Sequence, residues 1–311
     1  LSFHLSIIES KKMRWEGREE STNVEDRRGI AMQAGGIVLG GGLGSIVLMI
    51  ILFMLGANPR QLMEQAGQSS ARAAVNKPLD PNNDPDAALK KFVSVVMKDT
   101  EDVWNKLFRE KLNAEYQEPK LVIFNDQVRS ACGVASSQSG PFYCSGDNNV
   151  YLDFTFFRQM KKELNAPGDF AMAYVIAHEV GHHIQNQLGI LSKVQAMQSR
   201  ASKVESNGLN VRLELQADYL AGVWAHHNQK LKSVLERGDL EEALNAAANI
   251  GDDVLMKHRN GRPSKDLFTH GSSKQRYYFL KKGMQTGSVE GMMEMFDRTS
   301  EQLDEIDRIA K

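Results

Sequence analysis

FAMAYVIAHEVGHHIQNQL, residues 170–188, spaces Phe170, Ala173, Tyr174, Ala177 and Ile184 as one face of a helix, and Asp169 can cap its first turn. On such a helix His178 and His182 stand four apart, so both imidazoles can reach the same metal ion. Glu179 follows the first of them. Two histidines leave a hydrolytic centre one ligand short, because such sites take three protein ligands and keep one position open. Thirty-two residues after His182 comes Glu214-Leu-Gln-Ala-Asp218, a second polar pair four apart. Leu213, Leu220, Val223 and Trp224 make its surroundings an amphipathic helix. Glu214 can supply the third ligand, and Asp218 can accept the outer N–H of a ligating imidazole and fix its tautomer.

The rest of the 311-residue chain bounds what this pair of helices can do. Thirty-eight basic against 39 acidic residues give a net charge of −1, which offers no electrostatic footing for nucleic acid. Hydrophobic residues at 41% and charged residues at 25% describe an ordinary globular protein. Two cysteines are too few for a disulfide scaffold or a four-thiolate zinc ribbon. The negative mean hydropathy excludes a polytopic membrane protein but not a single span.

One apolar run is long enough to be that span. Residues 34–57, AGGIVLGGGLGSIVLMIILFMLGA, carry no charge and as a helix would reach about 36 Å, against ~30 Å of hydrocarbon. Arg14, Arg18, Arg27 and Arg28 precede it, against Arg60, Arg72 and Lys77 after it. That balance predicts a cytoplasmic N-terminus and a periplasmic or extracellular domain at the inner membrane. Gly36, Gly40 and Gly44 line one face, where a second copy could pack to form a homo-oligomer. The organisation expected is a leader at 1–33, the span at 34–57, a polar flexible linker at 58–85 and a working domain at 86–311. The chain starts with Leu1 and its first methionine is Met13, so residues 1–12 are assigned no role.

Within the domain the pattern predicts an α+β fold, mainly helical, with a small sheet. Helices are expected at 89–112, 154–164, 170–188, 191–205, 209–228, 240–257 and 273–282, with Gly189, Gly208, Gly238 and Gly261 punctuating them. Asp239 with Glu242 reads as a capping box. Short strands are expected at 121–124 and 150–153.

HExxH followed by a Glu-x-x-x-Asp helix resembles the gluzincin metallopeptidases, the group that includes thermolysin. More closely, the chain resembles the bacterial neutral zinc metallopeptidase family. The similar segments are Met13-Arg-Trp-Glu-Gly-Arg, Asn23-Val-Glu-Asp-Arg-Arg28, Gly140-Pro-Phe-Tyr-Cys144, His178 to Gln185, Glu214 to Gly222 and His270-Gly-Ser-Ser-Lys-Gln-Arg276. The resemblance implies a zincin-like domain holding one zinc ion on His178, His182 and Glu214. Its substrate would be a protein or peptide, with Glu179 as general base for the attacking water. The stretch from His182 to Glu214 is longer than in thermolysin, so the helix between them reads as an insertion. Thermolysin-like enzymes donate to the oxyanion from a late histidine. His270, just before a helix that Ser272 and Gln275 can cap, matches that role, with Arg276, Tyr277 and His258 as alternatives. His183, His226 and His227 read as structural or exposed.

Cys132 and Cys144 are twelve apart in a segment expected outside the cytoplasm, where a disulfide would contribute roughly 3 kcal/mol. The alternatives are two free thiols or a metal site without partner ligands. Against the peptidase stands a non-catalytic zinc-binding envelope scaffold, which would have no use for Glu179.

Overall fold

Alternate residues of the two short apolar runs face opposite ways, and in the computed structural model both faces are covered. The structure describes residues 13–29, 83–136, 140–155, 157–158, 169–258 and 263–309. Its strands are β1 (Val24–Asp26), β2 (Lys120–Phe124), β3 (Gln127–Ser130), β4 (Gly133–Ser136), β5 (Phe142–Cys144) and β6 (Asn149–Asp153). One sheet runs β1-β2-β6-β5, parallel except for the antiparallel β5–β6 pair, and β3–β4 form a separate hairpin. Leu121, Ile123, Val150 and Leu152 face the main core. Val122, Phe124 and Tyr151 face the other way and pack with Val128 and Ala135 of the hairpin and with Phe142 and Cys144 of β5. Central parallel strands need cover on both sides, and the hairpin provides the second.

The helices are α1 (Ala87–Leu107), α2 (Asp169–Gln187), α3 (Ile190–Gln198), α4 (Lys203–Lys232), α5 (Asp239–Asn249), α6 (Asp252–His258), α7 (Ser273–Thr286), α8 (Glu294–Asp297) and α9 (Ser300–Ile309). The long α4 packs against both α2 and α7. Two close approaches set these crossings. A Cβ on Gly181 of α2 would lie 3.1 Å from the Ala217 backbone of α4. One on Gly222 of α4 would lie 2.3 Å from the Leu280 carbonyl oxygen of α7. Glycine at both positions lets the backbones meet.

Several boundaries differ from the pattern reading. Helix α4 runs unbroken through Gly208 because Ser202 and Glu205 form a capping box upstream of it. Helices α5 and α6 are divided at Gly251, where a Cβ would meet the Ser273 backbone at 2.1 Å. The box at Asp239 and Glu242 is not formed. Gly238, at φ +103°, is the cap residue, and the Asp239 carboxylate accepts instead from the Glu236 N–H. Most of the helix expected at 154–164 lies outside the described residues. So do the run at 34–57, with Gly36, Gly40 and Gly44, and most of the linker. Among the described residues no helix is long and apolar enough to cross a membrane.

The N-terminal segment packs with the folded unit although it lies ahead of the boundary expected at 86. Met13 is buried in the main core. Trp15 packs edge-on against Phe92 of α1, and its indole N–H donates to Asp169 at the start of α2 (3.0 Å). Strand β1 pairs with β2 in register Val24–Leu121, Glu25–Val122 and Asp26–Ile123. The sequence reading left this stretch outside as the leader ahead of the apolar run. Its strand is three residues long, too short for alternation to show.

Candidate metal centre

The Gly181–Ala217 contact brings the middle of α2 against the middle of α4. His178 Nε2 lies 3.3 Å from one Glu214 carboxylate oxygen, and His182 Nε2 lies 3.6 Å from the other. One ligand atom from each of the three residues lies within 4.8 Å of the other two. Tetrahedral zinc with bonds of about 2.0–2.1 Å requires ligand edges of roughly 3.3 Å, so the donor set fits such an ion with little movement.

The outer nitrogens of both imidazoles are already engaged. His178 Nδ1 lies 2.9 Å from Asp218 Oδ1, and His182 Nδ1 lies 2.8 Å from Gln185 Oε1. The Gln185 amide nitrogen donates to the Leu213 carbonyl (2.6 Å), so its oxygen is left to accept from His182. Asp218 and Gln185 thus accept from Nδ1 of the two imidazoles, which leaves Nε2 of each facing Glu214 as the atom that would ligate a metal once its proton is displaced. Gln185 sits three residues after His182 on the same helix face. That spacing was visible in the sequence but not exploited there.

Asp218 is the hub of a buried network. It accepts from the Tyr174 hydroxyl (2.6 Å) and from Arg276 Nε and Nη2 (2.8 and 2.9 Å). Burial works against its charge, but Arg276 and His178 outweigh that and lower its carboxyl to about 2. Burial also works against a charged His178, yet Asp218 and Glu214 raise it to about 10. Burial pushes the Glu214 carboxyl up as well, but His270, His182 and His178 together hold it well below the usual carboxylate range. The pattern is that of an anionic cradle around the place a cation would take. Arg276, at 1% exposure, is consumed by Asp218 and Tyr174 and cannot serve as the oxyanion donor.

Glu179 is buried and interacts electrostatically with His178, His182 and Glu214. Burial raises its carboxyl, and the two histidines and the backbone N–H of Tyr143 on β5 act in the other direction. Cys144, next in the chain, is joined to Cys132 by a disulfide (S–S 2.09 Å), which ties β5 to the turn of the β3–β4 hairpin. His270 is 2% exposed, close enough to Glu214 to lower that carboxyl. Its Nδ1 lies 3.0 Å from Thr269 Oγ1 and 3.4 Å from Asp252 Oδ1. Asp252 also accepts from the backbone N–H groups of Thr269, His270 and Gly271, so one carboxylate fixes the whole loop. The capping box of Ser272 and Gln275 starts α7 directly after it. No local pattern identified Asp252, which is eighteen residues upstream. His183 is occupied by Tyr143 and the Gln117 carbonyl, and His226 and His227 bind the carbonyls of Met284 and Gly287. The side chain of His258 lies outside the described residues.

Two helices that present His178, His182 and Glu214 to one point, with Glu179 beside them, define a metallopeptidase-like centre. The family model described as "Putative neutral zinc metallopeptidase" matches residues 13–293, and the chain belongs to that family. It is 48% identical over 280 residues to the uncharacterized protein YpfJ of Escherichia coli K12, covering 88% of this chain and 96% of that protein. To the uncharacterized protein Mb2605 of Mycobacterium bovis it is 41% identical over 182 residues, 55% of this chain and 60% of that one. No solved structure matches.

Proposed function

We propose that the protein is a zinc-dependent peptidase in which His178, His182 and Glu214 hold the ion and Glu179 is the general base. The observation that carries this reading is the convergence of two Nε2 atoms and one carboxylate, with the Nδ1 atoms of the two histidines already held by Asp218 and Gln185. Zinc, when bound there, supplies a Lewis acid that activates water and polarises the scissile carbonyl. Glu179 takes the proton of the attacking water and delivers it to the leaving amine nitrogen. Its burial, which raises its affinity for a proton, suits a group that holds one between two steps. His270, with Nδ1 turned to Asp252 and Thr269, has Nε2 to donate to the oxyanion.

The apolar run at 34–57 supports attachment to a membrane. The Cys132–Cys144 disulfide supports a working site outside the reducing cytoplasm. Substrates would then be proteins or peptides of the cell envelope.

The test compares the purified full chain with its Glu179→Gln variant for zinc content and hydrolysis of an unfolded protein. The expected result is about one zinc in both and turnover in the wild type alone. Equal hydrolysis by both would remove Glu179 from the mechanism.

A further inference from the structure

Arg28 stands near the end of the first described segment, ahead of the apolar run in sequence, and its side chain is buried at 1% exposure. Its guanidinium donates to Asp84 (2.6 and 3.1 Å) and to Asp86 (3.3 Å), close to where the described chain resumes at Asn83. Asp26 completes the cluster, accepting from Arg28 (2.7 Å) and from Lys90 of α1 (3.0 Å). The Arg28 guanidinium also lies 4.9 Å from the centre of the Phe154 ring. Arg28 and Asp84, which flank the stretch from residue 30 to residue 82, therefore meet at one ion-paired point.

That closure is incompatible with a single crossing by residues 34–57. One crossing would put β1 on one side of the bilayer and β2 on the other, yet they share three registered residue pairs. A second crossing would have to use residues 58–82, which contain Arg60, Glu64, Arg72, Lys77 and Asp80. Charged groups at that density are not accommodated in hydrocarbon. The arginines that suggested a cytoplasmic leader are also partners within the fold. Arg14 pairs with Glu236 (3.0 Å), Arg18 with Asp99, Arg27 with Glu25 (2.7 Å) and Arg28 with the aspartate cluster. Charge neutralised in a folded domain cannot be counted as free topogenic charge.

We infer that no membrane separates residues 13–29 from residues 83–309. Strand β1 and the metal centre then share a compartment.

The test uses two single-cysteine additions to the full chain, Glu20→Cys and Lys203→Cys, both at exposed positions. The native pair Cys132–Cys144 is oxidised and stays silent. Spheroplasts are treated with a membrane-impermeant maleimide before and after lysis. Both positions should react alike, either both before lysis or both only after it. One labelled and the other protected would overturn the inference. The readout does not depend on peptidase activity.

Discussion

Arg276 holds Asp218 by both carboxylate oxygens, through Nε at 2.8 Å and Nη2 at 2.9 Å, and the same carboxylate receives His178 Nδ1 at 2.9 Å. A buried fork of this kind fixes the plane of the carboxylate and through it the plane of the imidazole. Asp218→Asn should therefore weaken zinc binding by about 10–100-fold without preventing folding, read as a zinc dissociation constant by competition with a chelating dye. Arg276→Gln should cost more in stability, about 3–5 kcal/mol, because it leaves the Asp218 charge buried without its cation. Urea denaturation midpoints of the two variants will separate the two roles.

On the proposed ligand set, His178→Ala, His182→Ala and Glu214→Ala should each abolish zinc binding, since each removes one of the three converging donors. Metal analysis after dialysis is the measurement. Full stoichiometry in Glu214→Ala would require a different third ligand.

His270→Ala should lower the turnover number by at least about tenfold while zinc remains bound, because an oxyanion donor matters more in the transition state than in the ground state. Asp252→Ala should act in the same direction through the loop it fixes, and its effect should be small once His270 is already gone. Loss of zinc from His270→Ala would instead make it a ligand.

Gly208 and Gly222 both lie in α4, and alanine should affect them oppositely. At Gly208 the nearest atom to a new Cβ is the end of the Arg212 side chain at 3.5 Å, so Gly208→Ala should stabilise by about 0.5–1 kcal/mol through chain entropy and helix propensity. At Gly222 the Cβ would strike the α7 backbone at 2.3 Å, so Gly222→Ala should destabilise by at least about 1–3 kcal/mol. Denaturation midpoints measured side by side decide it.

The attachment of the N-terminal segment should depend on acid. The Asp84 carboxyl is held low, chiefly by its hydrogen bond to Arg28. Asp26 is lowered too, since its bonds to Arg28 and Lys90 outweigh the effect of burial. Depressed folded values mean that both groups contribute stability above their unfolded value near 3.8 and lose it as the pH falls through the folded ones. Limited proteolysis within residues 13–29 should accelerate as the pH drops below about 4, and Arg28→Ala should be cut readily at neutral pH.

The helices of the centre were legible because four-residue spacing is a local property. His178 with His182, and Glu214 with Asp218, announce themselves on a single helix each. The partners that arrive from elsewhere were not legible in the same way. Asp252 reaches His270 across a loop, and the Tyr143 backbone reaches Glu179 from a three-residue strand, contacts that no periodicity encodes. Gly208 misled because a glycine inside a well-capped helix looks the same in sequence as one that ends it. Strand β1 was missed for a related reason. Its neighbours are polar, and its pairing partner lies far along the chain.

That separation has a consequence for how the molecule is made. Strand β1 leaves the ribosome first, but the strand it must join, with Leu121 opposite Val24, follows about a hundred residues later. At roughly 5–20 residues per second, the N-terminal segment waits several seconds with its backbone unpaired, while the apolar run is synthesised behind it. Its charges, Arg18, Glu19, Glu20, Glu25, Asp26, Arg27 and Arg28, keep the waiting segment hydrated. A segment synthesised well ahead of its partner is thus among the last to be seated.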